Sequence, residues 1–365
     1  MTTSRLRSIT ATTTLLVLAG TLTACVPSSD STPSGTQSPA AGGDTEGTNS
    51  TVTVVVHDSF QISDEQKAAF TQSTGYDLNV VTNGDGGALV NKLVLTKESP
   101  LGDVAYGVDN TFASRGITEG VFAPYTSPAQ SPTGADLAIP GDDTLTAVDY
   151  GDVCLNLDPT WFKDNNIDEP TSLDDLTDPV YKDLTVVTNP ATSSPGLSFM
   201  FATIGQYGEE GYLDYWNDLN DNGLKIVDGW EDAYYVDFTG AGDGDRPIAL
   251  SYASSPAFTV TDDGTETTTT AMLDTCFRQV EYAGVLAGAN NPEGGQAFID
   301  FLLGDDFQNT IPDAMYMYPV TDSATLPDAW SQFAPVPPNP ISLDPALIAT
   351  NRDAWIKDWN AQIIG

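Results

Sequence analysis

The chain has 365 residues, 40% apolar and 18% charged, which is enough for a large core and for two domains. Its 51 acidic and 13 basic residues give a formal net charge of −38. A field of that sign repels phosphate backbones, which excludes nucleic-acid binding, and it fits a heavily solvated surface.

Residues 1–25 read as a processing signal: Arg5 and Arg7 precede an apolar run at 9–20 that is too short to span a bilayer as a mature helix. The closing Leu22-Thr23-Ala24-Cys25 resembles the lipobox of bacterial lipoproteins. That resemblance implies diacylation of Cys25 and stable attachment to the outer face of the cytoplasmic membrane. Residues 26–50 are Ser, Thr, Pro and Gly, too poor in apolar groups to offset ordering, and read as a tether. No later segment is apolar enough to cross a membrane. In an exported chain the remaining pair, Cys154 and Cys276, is expected to form a disulfide.

The Val-rich, alternating residues 51–56 predict a first strand, which ends at His57-Asp58-Ser59-Phe60. A helix follows over 64–74, with Ser63 as its cap and Gly75 as its stop. Residues 78–81 predict a second strand that enters Asn83-Gly84-Asp85-Gly86-Gly87, then a helix over 88–96 and a strand over 104–108. This β-α-β-α-β opening predicts a mostly parallel, doubly wound α/β sheet. Residues 148–154 read as a strand crossing into a second domain. Beyond it come a strand at 185–187, helices over 197–207 and 212–219, and strands at 225–227 and 248–250. Residues 259–270 read as a polar surface loop. The chain returns through 277–286 and a helix over 294–303, then through a Pro-rich strap at 334–340 and a closing helix over 344–363. In that last helix Trp355 and Trp359 are spaced as packing residues.

The stretch 228–258 holds two aromatic clusters, Trp230 with Tyr234 and Tyr235, and Tyr252 with Phe258, on either side of a Gly/Asp-rich turn. Strand ends feeding loops are where α/β proteins place ligand contacts. Aromatic faces beside small hydroxyls suit a flat cationic organic ligand, although the same pattern also describes an aromatic core.

An ordered set of motifs then gives a more specific reading. Asp58-Ser59-Phe60, Asp85-Gly86, Asp109-Asn110, Asp149-Tyr150-Gly151, Thr192-Ser193, Gly229-Trp230, Leu250-Ser251-Tyr252 and Met317-Tyr318-Pro319-Val320 occur in an order that resembles the thiamine-binding proteins of ABC importers. The resemblance implies a two-lobed type II periplasmic-binding-protein fold with hinge crossovers. Its first lobe would run over 51–150, its second over 151–273, and the return to the first lobe over 274–365. It also implies a monomeric, non-enzymatic carrier that takes thiamine or a thiamine phosphate to a membrane permease and needs no cofactor or metal. The contacts it implies are His57, Asp85, Gly86, Ser193, Trp230, Tyr234, Tyr252, Phe258 and Tyr316. His57 and Phe258 stand where the family has Tyr, and Tyr316 where it has Trp.

Two rival readings use the same residues. Tyr234-Tyr235 with His57 and Asp85 could serve ferric iron, a hard cation that phenolate and carboxylate oxygens suit. Cys154 could serve as the nucleophile of a thiaminase-like enzyme, provided it is not bridged. The single histidine and the lack of a nucleophile-elbow motif argue against a serine triad.

Overall fold

The computed structural model describes residues 50–365, so the leader, Cys25 and nearly all of the tether lie outside the described residues. The first part of the chain forms β1 (Thr51–Val56), α1 (Asp64–Thr74), β2 (Asp77–Thr82), α2 (Gly86–Leu95) and β3 (Val104–Asp109). β1 pairs in parallel with both β2 and β3, as the alternation of strand and helix requires. Local chemistry sets the boundaries. Ser63 and Gln66 close a reciprocal capping box at the start of α1, and Asp85 caps α2 through the Gly86 amide.

Short helices α3 (Ala113–Thr118) and α4 (Pro132–Asp136) lead to β4 (Thr146–Leu157), twelve residues long and almost wholly buried. Next come α5 (Pro159–Asn165), β5 (Thr185–Thr188), α6 (Ser194–Asp221), β6 (Lys225–Val227) and β7 (Ile248–Tyr252). The two helices expected over 197–207 and 212–219 are both present: α6 is two helical stretches that meet at a non-helical break at Gly208 (φ 75°). β8 (Thr270–Ala271) is an extra pairing with β4 at the end of the segment expected to be a surface loop. β9 (Phe277–Val285) returns along β4.

The last part contains α7 (Pro292–Leu302), α8 (Asp305–Gln308), α9 (Ile311–Met315), β10 (Tyr318–Pro319), α10 (Asp328–Phe333) and α11 (Pro345–Trp359). The closing helix ends at Trp359 and not at 363, giving way to a wider π turn over Asn360–Ile364. Its Trp359 is fully buried against Trp216 of α6, with ring centroids 5.2 Å apart and planes at 87°.

All ten strands of the described residues belong to one sheet, ordered β2-β1-β3-β9-β4-β7-β5-β6, with β8 and β10 also on β4. β4 and β9 run antiparallel down its middle and join two doubly wound halves. The expected lobe limits at 150/151 and 273/274 fall inside β4 and just ahead of β9. Cys154 and Cys276 are bonded to each other, with Cα atoms 4.2 Å apart, and so fasten β4 to the residue that enters β9. On the chain-entropy model, closing 122 residues contributes about 5 kcal/mol. No helix of the described residues is long and apolar enough to cross a membrane.

Candidate functional site

The strands of both halves aim their carboxyl ends at one place, the crevice where open α/β sheets bind ligands. β1 delivers His57, the turn after β2 delivers Asp85, β5 feeds the 189–193 loop, and β6 and β7 deliver Trp230 and Tyr252. A cavity of about 30 Å³ lies there. His57, Asp85, Gly86, Ser194, Trp230, Tyr252, Gln279, Glu281, Met315 and Met317 are among the residues lining it.

Asp85 ties the two halves together. Its Oδ1 accepts from the Gly86 amide (2.5 Å) and the Ser194 amide (3.1 Å), and its Oδ2 accepts from the Trp230 amide (3.0 Å). The first donor opens α2, the second opens α6, and the third follows β6. Burial raises the Asp85 pKa, and these amides pull it back only partly. At the same contact the Ala88 amide donates to the Thr192 carbonyl at 2.9 Å. Gly87 is pressed so close that a Cβ there would lie 2.7 Å from the Thr192 carbonyl carbon.

His57 is held by a second close approach. β3 bulges between Tyr106 and Val108. At the intervening Gly107 (φ 92°) a Cβ would lie 2.0 Å from the His57 ring. The imidazole Nε2 is 3.6 Å from Glu281 Oε1, an ion-pair distance too long for a hydrogen bond, and it has no hydrogen-bond partner. Burial works against the imidazolium, but Glu281, Asp85 and Asp58 outweigh it and hold the His57 pKa above its ordinary value.

Glu281 is the hub of the buried polar chain. The Tyr252 hydroxyl donates to Gln279 Oε1 (3.2 Å), and Gln279 Nε2 donates to Glu281 Oε1 (3.3 Å). The Tyr106 hydroxyl touches both Glu281 Oε2 (2.9 Å) and Asp149 Oδ2. A phenol has one proton, so it donates to one carboxyl and accepts from the other, which must then be protonated. Asp149 is the protonated partner: burial and the neighbouring Glu281 charge push its pKa far up. Burial also raises the Glu281 pKa, but the His57 charge and the hydrogen bonds from its neighbours, Tyr106 and Asp149 among them, together outweigh it and keep Glu281 below its ordinary value. Asp149 and Glu281 stand directly opposite on β4 and β9, where two like charges would destabilise the pair.

The aromatic residues form a continuous run beside the cavity. Trp230 meets Tyr252 (centroids 6.0 Å), Tyr316 (5.7 Å) and Tyr234 (5.2 Å, nearly parallel). Tyr316 stacks on Phe258 at 3.5 Å. Trp230 Nε1 donates to Ser251 Oγ (2.9 Å), which fixes the indole. Tyr316 ends α9 in the left-handed region (φ 61°), a conformation that a bulky side chain adopts at a cost.

The sequence-expected residues are thus divided. His57, Asp85, Gly86, Trp230 and Tyr252 line the cavity together. Phe258, Tyr316 and Tyr234 extend from it through ring contacts and do not line it. Ser193 does not line the cavity: fully buried, it caps α6 at the Gly196 amide and donates to Thr188. Its neighbour Ser194 faces the cavity, with an Oγ that has no partner. Sequence reasoning missed Gln279 and Glu281. The available signal was a polar pair inside the apolar run of β9, because buried polar residues are informative where exposed apolar ones are not.

The rival readings fare worse. Neither Tyr234 nor Tyr235 lines the cavity with His57 and Asp85. Tyr234 is stacked on Trp230, and the Tyr235 hydroxyl donates to Tyr316. Cys154 is spent in the disulfide and offers no thiol.

The mixed sheet, its two crossover strands and the crevice between halves define a type II periplasmic binding protein. Residues 99–338 match the bacterial extracellular solute-binding protein family, well over half the chain, and the chain belongs to that family. Among similar proteins is the thiamine-binding periplasmic protein of Escherichia coli (strain K12), 29% identical over 321 residues, covering 86% of this chain and 93% of the relative. The thiamine-binding periplasmic protein of Brucella suis biovar 1 (strain 1330) is 30% identical, covering 85% and 91%. A solved periplasmic thiamin binding protein superposes with a TM-score of 0.74 at 27% identity, covering 86% of this chain and 96% of that one.

Proposed function

We propose that this chain is an extracytoplasmic carrier that captures thiamine, or one of its phosphates, between the two halves of its sheet and hands it to an ABC permease. It acts as a monomer without catalysis and is held at the outer face of the cytoplasmic membrane by a lipid on Cys25. The observation that carries the reading is the unbroken run of Tyr252, Trp230, Tyr316 and Phe258 beside two carboxylates, Asp85 and Glu281. Ring faces attract a cation at about 0.5–2 kcal/mol each, and the carboxylates supply the opposite charge. The likeness to thiamine-binding relatives over most of the chain supports the same ligand.

A cavity of about 30 Å³ holds a water or two, whereas pockets for organic ligands run to roughly 300 Å³ or more. Thiamine therefore enters only when the halves part at the Asp85 contacts and the rings separate around it. Such opening and closing about crossover strands is the motion of hinged binding proteins.

Calorimetric titration with thiamine, its mono- and diphosphate and ferric citrate tests this. Saturable one-to-one binding of thiamine is expected, weakened at least tenfold, about 1.4 kcal/mol, by Trp230→Ala. Absence of thiamine binding refutes the function, and an unchanged affinity in the variant removes Trp230 from the site.

A further inference from the structure

We propose that Glu281 is a cation subsite at the floor of the cleft, occupied by the His57 imidazolium until a cationic ligand arrives, and that ligand entry drives the Nε2 proton of His57 into solvent. The inference rests on the thiamine reading for its ligand and goes beyond it in assigning the subsite and the proton.

The geometry is that of a charge held in reserve. Among the residues lining the cavity there are two carboxylates, Asp85 and Glu281, and a single group able to carry positive charge, His57. Asp85 is already committed to three backbone amides. Glu281 accepts from Gln279 and Tyr106, and at Oε1 it faces His57 across 3.6 Å without a hydrogen bond. His57 is 9% exposed as a residue and 11% as a side chain, with Nε2 orphaned. Such an atom is costly to leave unpaired, and the nearby Glu281 Oε1 lies 3.6 Å away.

Among the described residues, the electrostatic neighbours of His57 are all acidic. It faces Glu281 from β9, Asp85 from the turn before α2, Asp58 beside it, Glu231 after β6 and the Tyr106 ring of β3 at 5.6 Å. Behind Glu281, the Tyr106 hydroxyl and the protonated Asp149 of β4 complete the shell, and Asp109 of β3 lies within range of the Glu281 charge. Protonated His57 and ionised Glu281 are balanced as a pair.

A permanently charged ligand cannot give up its charge. When it approaches Glu281, two positive groups compete for one carboxylate in a space with little water, and only the imidazolium can become neutral. The proton leaves Nε2 for bulk water, the neutral ring remains as a wall of the site, and Glu281 transfers its charge pairing to the ligand. Thiamine capture is then linked to pH: each thiamine bound releases up to one proton between the His57 pKa of the complex and that of the free protein, and none well outside that window.

Because the chain has one histidine, the test needs no variant to be interpretable. In wild-type protein carrying ¹³C-labelled histidine, the ring resonance is titrated from pH 5 to 9, free and saturated with thiamine. The free midpoint is expected above the ordinary 6.5, with proton affinity at least tenfold lower in the thiamine complex. Calorimetry midway between the free and thiamine-bound midpoints, in phosphate and in a buffer of high ionisation enthalpy, is expected to show about half a proton or more released per thiamine. Glu281→Gln should lower the free midpoint and abolish its response to thiamine.

Thiamine binding with an unchanged His57 midpoint and no buffer dependence overturns the proposal while leaving the function intact. Release that persists in His57→Gln and is lost in Asp149→Asn assigns the proton to Asp149 and overturns it equally. No binding of thiamine in any buffer overturns the function and this inference together.

Discussion

Asp85→Asn tests whether one carboxylate latches the cleft. The substitution keeps Oδ1, which takes the Gly86 and Ser194 amides, and puts an amide NH2 where Oδ2 accepts from the Trp230 amide at 3.0 Å. One hydrogen bond to a charged acceptor is lost and two donors are left facing each other. Such bonds contribute about 1.5–3 kcal/mol, and Asp85 is only partly buried, so about 1.5–2 kcal/mol is expected. That corresponds to roughly a 10- to 30-fold rise in the open population. Amide hydrogen exchange reads it directly. The Trp230 and Ser194 amides, both freed by the same opening, should exchange 10- to 30-fold faster, while amides of the buried β1 change less than twofold. Equal protection at Trp230 in variant and wild type would refute the latch.

Other predictions follow from the same structure. Gly87→Ala puts a methyl 2.7 Å from the Thr192 carbonyl carbon across the cleft, so thiamine affinity should fall at least tenfold by calorimetry; unchanged affinity would mean the halves do not meet there when loaded. Burial raises the Asp109 pKa from 3.8 to about 7, so the native state binds this proton more tightly than the unfolded chain does. The stabilisation is therefore complete below pH 4 and lost as pH rises through 7, about 4 kcal/mol in all. Urea melts from pH 4 to 8 should show wild type losing stability against Asp109→Asn over that window, and parallel curves would contradict it. Replacing Cys154 and Cys276 together by serine should reduce unfolding free energy by several kcal/mol, up to about 5; a loss under 1 kcal/mol would mean the unfolded chain gains little from the cut.

The regular elements of the first half were legible because local signals there agree with the fold. Alternating Val in β1, the Ser63 cap and Gly75 stop of α1 and the Gly-rich turn before α2 all name their own structure. The short helices α3 to α5 and the two-residue strands β8 and β10 have too few residues for any periodicity to register. Of the site, the residues on loops after strands could be read, since glycine, aspartate and tryptophan mark those turns. Glu281 and Gln279 were hidden because their importance comes from pairing with Tyr106, Asp149 and Tyr252, which lie far away in sequence. Ser193, expected at the site, caps α6 while the adjacent Ser194 faces the cavity, and only the backbone decides which of two neighbouring serines does which.

The bond between Cys154 and Cys276 also gives the fold a modular character. All of the chain between them, including β5, α6, β6 and β7, leaves and returns through a neck whose Cα atoms are 4.2 Å apart. A segment whose ends meet can be exchanged without moving the ends of its host, provided that packing such as Trp216 on Trp359 is kept. Grafting residues 155–275 from a relative of different appetite would thus replace one wall of the crevice, including Trp230 and Tyr252, while His57, Asp85 and Glu281 stay in place.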